Sequence, residues 1–349
     1  MTTRIGIAGL GLAGRTIHVP AYAAMPAVEL VGGCDPVAPA HRLPFPVFPS
    51  LDELLRATAP DVLVVATPPD SHHDLVREGL EHGCHVLCEK PFVPSLEEAH
   101  DLVERARRAS RRVAVNQEFR FMNIHLAAKR RLGTAEFGEL RFLDAQQTFL
   151  TTAHTETGWR GRDRRRTCQE FGTHVLDLCR FFFDDEPTTI TARMPGVADG
   201  DGRDLLNLID LEFPGGRLAH LTLDRWSRGR NRYLDLRLDG TTGCVETHIG
   251  GDIVLSAGIR GGRRRPFVDL DVALGGYARL YRGERFTRIA TDPLRLFVHA
   301  TRRLMGAFLT ALAQRRTPPC DAEDNVRTLG LVLAAYDSAE RGTTIEVGP

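Results

Sequence analysis

Neither sign of charge is in excess in this sequence, and long apolar runs are absent. Lysine plus arginine and aspartate plus glutamate both number 45. With no net field to concentrate a polyanion, we expect neither nucleic acid nor an anionic membrane surface as a partner. No run reaches the roughly eighteen apolar residues that a bilayer span needs, and residues 1–20 lack the apolar core of a signal peptide. We therefore expect a cytoplasmic protein.

Cysteine pairs with disulfide or metal-binding spacing are also missing. The seven cysteines are odd in number and scattered, and none forms a C-x-x-C pair, which is typical of buried free thiols in a reducing compartment. His82, Cys84, His85 and Cys88 lie close in sequence, but strand alternation sends successive side chains to opposite faces. The sequence therefore predicts no metal site.

Length and pattern predict two domains. At about 150 residues per domain, 349 residues suggest two. In the first third of the chain, short runs of Val, Ile and Leu alternate with helical patterns, as expected for a parallel sheet covered by helices on both faces. Ser50 with Glu53 and Ser95 with Glu98 have the spacing of helix capping boxes. We expect this α/β domain to span residues 1–120.

The pattern changes in residues 121–349. Paired strand patterns are closed by turns such as Pro214-Gly215-Gly216 and the segment 239–243, which is typical of antiparallel hairpins. Helical patterns at about 294–314 and 322–341 are predicted to cover one side of the resulting sheet. We therefore expect an α+β domain with an open, largely antiparallel sheet.

A G-x-G-x-x-G pattern follows the first predicted strand and begins the first helix. Gly9 permits a tight turn, Gly11 lets a pyrophosphate approach the backbone, and Gly14 allows the helix to pack closely on the strand. The segment that includes Gly9, Leu10, Gly11 and Gly14 is therefore predicted to bind a dinucleotide.

The end of the second predicted strand carries Asp35, about twenty residues after this loop. A carboxylate there can bind the adenosine ribose and would repel a 2′-phosphate, which favours NAD. Two alternatives stay open: Asp35 starts the turn at Pro36, and the nearby Arg42 admits NADP.

Lysine is nearly absent, since Lys90 and Lys129 are the only two. Lys90 stands in Cys88-Glu89-Lys90-Pro91 at the carboxyl end of a predicted parallel strand, the edge where open α/β sheets bind ligands. Beside an oxidised, cationic nicotinamide the ammonium form is disfavoured and the pKa is lowered. We therefore expect Lys90 to handle protons.

Five short motifs follow one another along the chain. They are the glycine loop, Ala66-Thr67-Pro68-Pro69 with His72, Glu89-Lys90-Pro91, Asn116 with Arg120-Phe121, and Glu170-Phe171-Gly172-Thr173-His174 with Asp177-Leu178. In this order and spacing they resemble the Gfo/Idh/MocA oxidoreductase family over nearly the whole chain. The resemblance implies an N-terminal Rossmann domain, a C-terminal domain whose open sheet serves oligomer contacts, and a homodimer or homotetramer. It also implies NAD(P)-dependent hydride transfer at a hydroxyl or ketone carbon of a sugar, cyclitol or sugar derivative.

Carried over residue by residue, the resemblance implies a catalytic pair. Lys90 is placed near the reacting hydroxyl and His174 is the acid or base. For His72, a helix-capping role is an equal alternative. The residues implied to contact the cofactor outside the glycine loop and Asp35 are Thr67, Pro68, Pro69, His72, Glu89, Lys90 and Asn116.

Glu170 is a departure from the family, which usually has an aspartate there. Positions 170 and 174 face the same side of a helix, so the carboxylate and the imidazole are predicted to converge. Glu170 is then a third catalytic residue that positions or polarises the pair. The alternative is an ordinary surface residue of the helix.

An arginine-rich segment, 160–166, replaces the usual glycine-rich approach to this helix. Guanidinium groups bind phosphate or carboxylate in bidentate fashion, so the segment is a candidate anion clamp, with a solvated loop as the alternative. The candidate substrate contacts are Lys90, Arg120, His154, Trp159, Arg160, Glu170 and His174.

Three functions stay open at this point. The first is an NAD(P)-dependent dehydrogenase or reductase acting on CH–OH groups. The second is a glycosidase or elimination enzyme that oxidises its substrate transiently, and the third is a non-catalytic NAD-sensing regulator.

Overall fold

Two large sheets organise the chain. The computed structural model describes residues 2–37, 43–151, 158–161, 164–197, 202–260, 265–283 and 285–348. The strands in these ranges form a six-stranded sheet, a nine-stranded sheet and a separate two-stranded hairpin. Among the helices that the ranges contain, none has both the length and the apolar character to cross a bilayer.

The first sheet is parallel throughout, as predicted. Its strands are β1 (Thr3–Ala8), β2 (Val28–Cys34), β3 (Val47–Phe48), β4 (Val62–Val65), β5 (His85–Cys88) and β6 (Val113–Val115). They lie in the order β3-β2-β1-β4-β5-β6, and each neighbouring pair is parallel. The strand order reverses between β1 and β4, and open α/β sheets bind ligands at such a switch point.

Helices connect these strands. They are α1 (Val19–Ala23), α2 (Leu51–Thr58), α3 (His72–Glu81) and α4 (Leu96–Arg108), and a π-helical turn, Gly14–His18, precedes α1. The predicted caps are confirmed, because the Glu53 N–H donates to Ser50 Oγ (3.3 Å) and the Glu98 N–H donates to Ser95 Oγ (3.2 Å).

The second sheet is largely antiparallel, also as predicted. Its strands are β7 (Leu140–Thr148), β8 (Thr189–Arg193), β9 (Leu206–Phe213), β10 (Arg217–Asp224), β11 (Arg232–Gly240), β12 (Cys244–Ile249), β15 (Gly276–Arg282), β16 (Arg285–Asp292) and β17 (Ile345–Glu346), while β13 (Asp252–Arg260) and β14 (Arg265–Ala273) form the separate hairpin. The order is β16-β15-β12-β11-β7-β10-β9-β8-β17, and β7 pairs with β10 in parallel. The predicted turn between β9 and β10 is present, with Gly215 and Gly216 at φ +77° and +69°.

Two further helices belong to this half and support the site. They are α5 (Asn123–Lys129) and α6 (Thr173–Phe183), and a second π-helical turn, Thr167–Gly172, leads into α6. All but one residue of α6 are buried, so α6 runs through the core and carries its polar side chains into the interior.

The last two helices pack differently from the prediction. They are α7 (Leu296–Ala313) and α8 (Ala322–Arg341). Met305 and Phe308 of α7 share a core cluster with Ile7 and Tyr22 of the first half, while α8 packs against both α4 and α6. The prediction that both helices cover the second sheet is therefore wrong for most of α7. A helical repeat of apolar residues shows that one face is buried, but it does not show what covers that face.

The chain after α7 also covers the edge of the first sheet. The Val115 N–H donates to the Cys320 carbonyl (2.8 Å), and residues 114 and 321 form a β-bridge. An edge strand left open is prone to pairing with other chains, and this segment closes it. It also holds the chain that leaves β6 towards the site. The domain boundary at residue 120 stays a prediction.

Candidate active site

The glycine loop after β1 has the predicted geometry. Gly9 has φ +95°, and a Cβ there would lie 2.5 Å from the Ala66 carbonyl oxygen. A Cβ on Gly14 would lie 2.1 Å from the Gly9 carbonyl oxygen, so glycine lets the first helical turn approach the strand. At Gly11 an added Cβ would meet nothing within 4 Å. The loop is therefore tight on its inner side and open at Gly11.

A cavity of about 410 Å³ borders this open side. It lies between the two halves of the chain, at the carboxyl ends of β1, β4 and β5, where the switch point places a ligand. The predicted site residues that it brings together are Gly11, Thr67, Pro68, Pro69, Glu89, Lys90, Arg160, Glu170 and His174.

Asp35 starts the turn after β2, and its role towards the ribose stays a prediction. Its Oδ2 accepts a hydrogen bond from the Leu10 N–H (2.8 Å), and its Oδ1 accepts one from the Val37 N–H (2.9 Å), so it does start the turn. Each carboxylate oxygen can accept more than one hydrogen bond, so both keep capacity for a ribose hydroxyl. Together with the open backbone at Gly11, this carboxylate fits a dinucleotide laid along the loop. Arg42 lies outside the described residues.

His72 is fully buried and joins two loops that border the cavity. Its Nε2 lies 2.9 Å from the Thr67 carbonyl oxygen, and its Nδ1 lies 2.9 Å from that of Phe92. Burial lowers the pKa of His72, and the hydrogen bonds to the backbone oxygens of Thr67 and Phe92 act in the opposite direction. Its partners identify it as a support for the loop that contains Thr67, rather than the helix cap that was the alternative.

Glu89 is held in a buried hydrogen-bond cluster. Its Oε1 lies 2.7 Å from both His18 Nε2 and Asn116 Nδ2, and His18 in turn contacts the Tyr22 hydroxyl (2.7 Å). Burial favours the neutral acid, but the hydrogen bond and charge of His18 and the charge of Lys90 outweigh it and lower the pKa of Glu89 to about 2. The ionised Glu89 anchors the loop that carries Lys90. Asn116 acts here by holding Glu89.

Lys90 reaches across to the second half of the chain. Its Nζ donates a hydrogen bond to the main-chain oxygen of Glu170 (3.0 Å) and lies 5.7 Å from the centre of the Phe171 ring. An ammonium group has three N–H donors, so this bond leaves two for other acceptors in the cavity.

His174 is held in one tautomer. Its Nδ1 lies 2.9 Å from Gln117 Oε1, and the amide nitrogen of Gln117 points to Thr173 Oγ1 at 3.4 Å. The Gln117 oxygen therefore accepts a hydrogen bond from the Nδ1–H group, which leaves a lone pair on Nε2. The ring stacks on Phe119, with centroids 4.0 Å apart. Burial and the Lys90 ammonium hold the pKa of His174 well below its usual range, so the imidazole is neutral.

Glu170 is bound on both oxygens by arginines. Arg160 Nε donates to Oε1 (2.8 Å) and Arg166 Nε donates to Oε2 (2.6 Å). Burial favours the neutral acid, but the charges of Lys90, Arg160 and Arg166 outweigh it and lower the pKa of Glu170. Glu170 lies in a π-helical turn rather than an α-helix. The carboxylate of Glu170 binds the arginine segment, and the main-chain oxygen of Glu170 binds Lys90.

Glu118 is a cavity residue that sequence reasoning missed. It is 6% exposed, and its Oε1 lies 3.9 Å from His174 Nε2. Burial, with the charge of Glu89 adding to it, raises the pKa of Glu118 to about 8. Gln117 and Glu118 lie just beyond Asn116 at the end of β6, as Lys90 lies just beyond β5, so the same strand-end rule could have identified both.

Arg120 lies in a separate ion-pair cluster. It makes two hydrogen bonds of 2.6 Å to Asp177 and an ion pair of 3.1 Å with Asp324. It lines another cavity, of about 810 Å³, between α4 and α8. The bonds to Asp177 and Asp324 give Arg120 a structural role in place of the predicted substrate contact. His154 and the side chain of Trp159 lie outside the described residues.

Within the described ranges, no three His, Cys, Asp or Glu side chains come together in an arrangement that could hold a metal ion. The seven cysteines are free thiols, and six of them are buried.

Two family models match the chain. The NAD-binding Rossmann fold of the Gfo/Idh/MocA oxidoreductases matches residues 3–117. The C-terminal domain of the same family matches residues 125–246. The two matches together span well over half of the chain.

Known proteins agree with this assignment. The chain is 24% identical over 345 residues to the D-apiose dehydrogenase of Paraburkholderia graminis, covering 95% of this chain and 86% of that one. It is 25% identical over 376 residues to the D-glucoside 3-dehydrogenase of Escherichia coli, covering 99% and 97%. The crystal structure of an oxidoreductase domain protein from Kribbella flavida superimposes with a TM-score of 0.81 at 20% identity, over 100% of both chains.

Both sheets, the glycine loop and the two family matches lead to one assignment. The protein belongs to the Gfo/Idh/MocA family and is an NAD-binding oxidoreductase.

Proposed function

We propose that the protein transfers hydride between a nicotinamide and the hydroxyl or ketone carbon of a sugar, cyclitol or sugar derivative. The observation that carries this proposal is that Lys90, after β5, and His174, on α6, line one cavity with Gly11 of the glycine loop. The names of the relatives, D-apiose dehydrogenase and D-glucoside 3-dehydrogenase, support a sugar-like substrate.

His174 moves the hydroxyl proton. A bound nicotinamide supplies or accepts the hydride. The neutral imidazole carries its lone pair on Nε2, because Nδ1 donates to Gln117. Nε2 therefore accepts the proton of a substrate hydroxyl during oxidation and returns it during reduction.

Lys90 orients the reacting oxygen. One of its N–H groups is held by the Glu170 main-chain oxygen, which directs the ammonium group into the cavity. The remaining donors bind the substrate oxygen and stabilise the negative charge that develops on it as the proton leaves. In this arrangement Glu170 positions Lys90 through its main-chain oxygen, while its carboxylate is bound by Arg160 and Arg166.

Arg160 contributes to the substrate side of the cavity. It lines the cavity while its Nε is held by Glu170. A guanidinium group in this position suits an electron-rich substituent of the substrate, such as a carboxylate, a phosphate or a row of hydroxyl oxygens.

A cofactor-reduction screen tests the proposal. Sugars, nucleotide sugars and inositols are incubated with the protein and with NAD or NADP in parallel, and the absorbance of the reduced cofactor is followed. We expect at least one polyol to yield reduced cofactor and ketone in equal amounts. The matched control is His174→Asn, because asparagine can keep an N–H towards Gln117 but has no atom in place of Nε2.

The alternatives give different results in the same screen. An elimination enzyme releases product without net reduced cofactor. A regulator binds NAD and turns over none of the compounds. Either result contradicts the proposed function.

A further inference from the structure

Glu118 and His174 face each other across the inner end of the cavity. Glu118 Oε1 lies 3.9 Å from His174 Nε2, and the two side chains are 7% and 4% exposed. This distance is longer than a hydrogen bond, and a small rotation of the carboxyl group would complete the contact. The atom that Glu118 faces is the one that carries the lone pair of His174.

The other carboxylates of the cavity are occupied. Both Glu170 oxygens accept hydrogen bonds from arginines, and Glu89 is bonded to His18, Asn116 and the Lys90 N–H. A carboxylate held by several donors remains ionised and is a poor proton acceptor. Glu118 is therefore the carboxyl group that the cavity leaves available for proton exchange.

An unpaired carboxyl oxygen also favours a protonated Glu118. Its Oε2 is buried and accepts no hydrogen bond from the described residues. A buried carboxylate with an unpaired oxygen is costly, whereas the neutral acid carries a proton that can be shared with a nearby acceptor. His174 Nε2 is such an acceptor. The pKa of Glu118, raised by burial to about 8, agrees with this geometry.

We propose that Glu118 is the proton-holding partner of His174, a positioning residue that stores the proton exchanged at Nε2. The inference rests on the proposed function for the reaction that it serves. In oxidation the substrate hydroxyl gives its proton to Nε2, its carbon gives a hydride to the cofactor, and the proton then passes to the Glu118 carboxylate. In reduction the Glu118 acid returns that proton through Nε2 to the substrate oxygen.

Several ionisable groups face Glu118 and set its behaviour. They come from α1, from the loop after β5, from α6 and from β11, and they are Tyr22, Glu89, Lys90, His174, Asp177 and Tyr233. Glu89 and Asp177 favour the neutral acid and Lys90 favours the carboxylate. Oxidation needs the carboxylate of Glu118 and reduction needs its acid, so the two directions respond to pH in opposite ways.

Two substitutions distinguish the ability of Glu118 to hold a proton from the space that its side chain fills. Glu118→Gln keeps the size of the side chain but cannot titrate, and Glu118→Asp keeps a carboxyl group. Glu139→Gln is the matched control, because Glu139 is a glutamate on the surface. We expect Glu118→Gln to lower turnover by roughly a hundredfold, as the loss of a proton-transfer group typically does. The pH profile of its activity should also lose the inflection near pH 8. Glu118→Asp should retain an inflection, but at a shifted pH.

Nuclear magnetic resonance of the His174 ring provides a readout that needs no substrate. In the unmodified protein, the ring signals should shift with a midpoint near pH 8 as Glu118 loses its proton. The shift should be absent in Glu118→Gln and unchanged in Glu139→Gln.

Stability gives a second readout. Glu118→Gln should become more stable relative to the unmodified protein as the pH rises from 4.5 to 8, because only the unfolded glutamate is ionised in that interval.

The outcomes distinguish this inference from the proposed function. Turnover of a polyol with an unchanged pH profile in Glu118→Gln overturns the role of Glu118 and leaves the proposed function standing. His174 ring signals that do not shift across pH 8 in the unmodified protein also overturn the role of Glu118. If the pH midpoint of the His174 ring signals depends on Glu118 but no polyol is oxidised, the proton exchange between Glu118 and His174 is supported and the proposed function fails.

Discussion

The ammonium nitrogen of Lys90 lies 3.0 Å from the main-chain oxygen of Glu170, so a bond between the two halves of the chain fixes the lysine in the cavity. Glu170 reaches Lys90 through its backbone while its side chain binds Arg160 and Arg166. The lysine position thus depends on the backbone of the π-helical turn before α6.

Lys90→Ala should remove turnover but not cofactor binding. The glycine loop remains intact, while the donors that stabilise charge on the reacting oxygen are lost, so we expect turnover to fall by roughly a hundredfold or more. Steady-state kinetics and a fluorescence titration with NADH measure the two effects. Lys129→Ala is the matched control, because Lys129 Nζ also binds a main-chain oxygen, that of Phe181 (2.6 Å), outside the cavity. Near-normal turnover in Lys90→Ala would remove Lys90 from the mechanism.

Asp35→Asn should weaken the preference for NAD over NADP. Asparagine keeps an oxygen that can accept from the Leu10 N–H, but it loses the charge that repels a 2′-phosphate. We expect the affinity ratio to change by about tenfold, which corresponds to about 1.4 kcal/mol. Binding titrations with both cofactors measure the ratio, and Asp52→Asn on the surface serves as the control. An unchanged ratio would limit Asp35 to its role in the turn.

Glu170→Asp should destabilise the protein, although aspartate is the usual family residue. The shorter side chain cannot keep both the 2.8 Å contact with Arg160 and the 2.6 Å contact with Arg166. Losing one charge-assisted hydrogen bond should lower the free energy of unfolding by about 1–3 kcal/mol. Urea denaturation measures the loss, with Glu139→Asp as the surface control. Unchanged stability would mean that the arginine segment does not depend on Glu170.

Stability should fall as the pH falls below 6.5, in part because of His125. This ring is fully buried, its Nδ1 lies 2.7 Å from the Phe119 carbonyl oxygen, and burial lowers its pKa from 6.5 to about 4. Between these values the unfolded chain binds a proton that the folded protein excludes, so unfolding becomes easier as the pH falls. The loss should reach about 3 kcal/mol near pH 4 and then level off.

His125→Asn provides the test of this pH dependence. Asparagine keeps an N–H towards Phe119 but does not titrate, so the free energy of unfolding should vary less between pH 6.5 and pH 4. His82→Asn is the matched control, because His82 is exposed and its Nδ1 also contacts a main-chain oxygen, that of Glu78 (3.0 Å). An equal pH dependence in both variants would exclude His125 as the cause.

Residues that follow a buried strand were predictable in part. Lys90 and the glycine loop were identified because the strand ends and the glycine spacing are local features. Gln117 and Glu118 also lie beyond the end of a strand, β6, but were not predicted, because neither is part of the motif formed by Asn116 and Arg120-Phe121. The bonds from Arg160 and Arg166 to Glu170 were not predicted, because helical spacing relates position 170 to position 174 and does not show what else the carboxylate binds.

Local patterns in the chain were enough to predict the parallel sheet, the antiparallel hairpins, the glycine loop and the place of Lys90 at a strand end, whereas His174 was predicted only from the family resemblance. They are enough because periodicity, turn residues and motifs act over a few neighbouring positions. The folded protein alone revealed that α7 packs on the first half, that Arg160 and Arg166 bind Glu170, and that Glu118 faces His174. These contacts join residues distant in the chain, and burial among those residues sets the charge of Glu118 and His174.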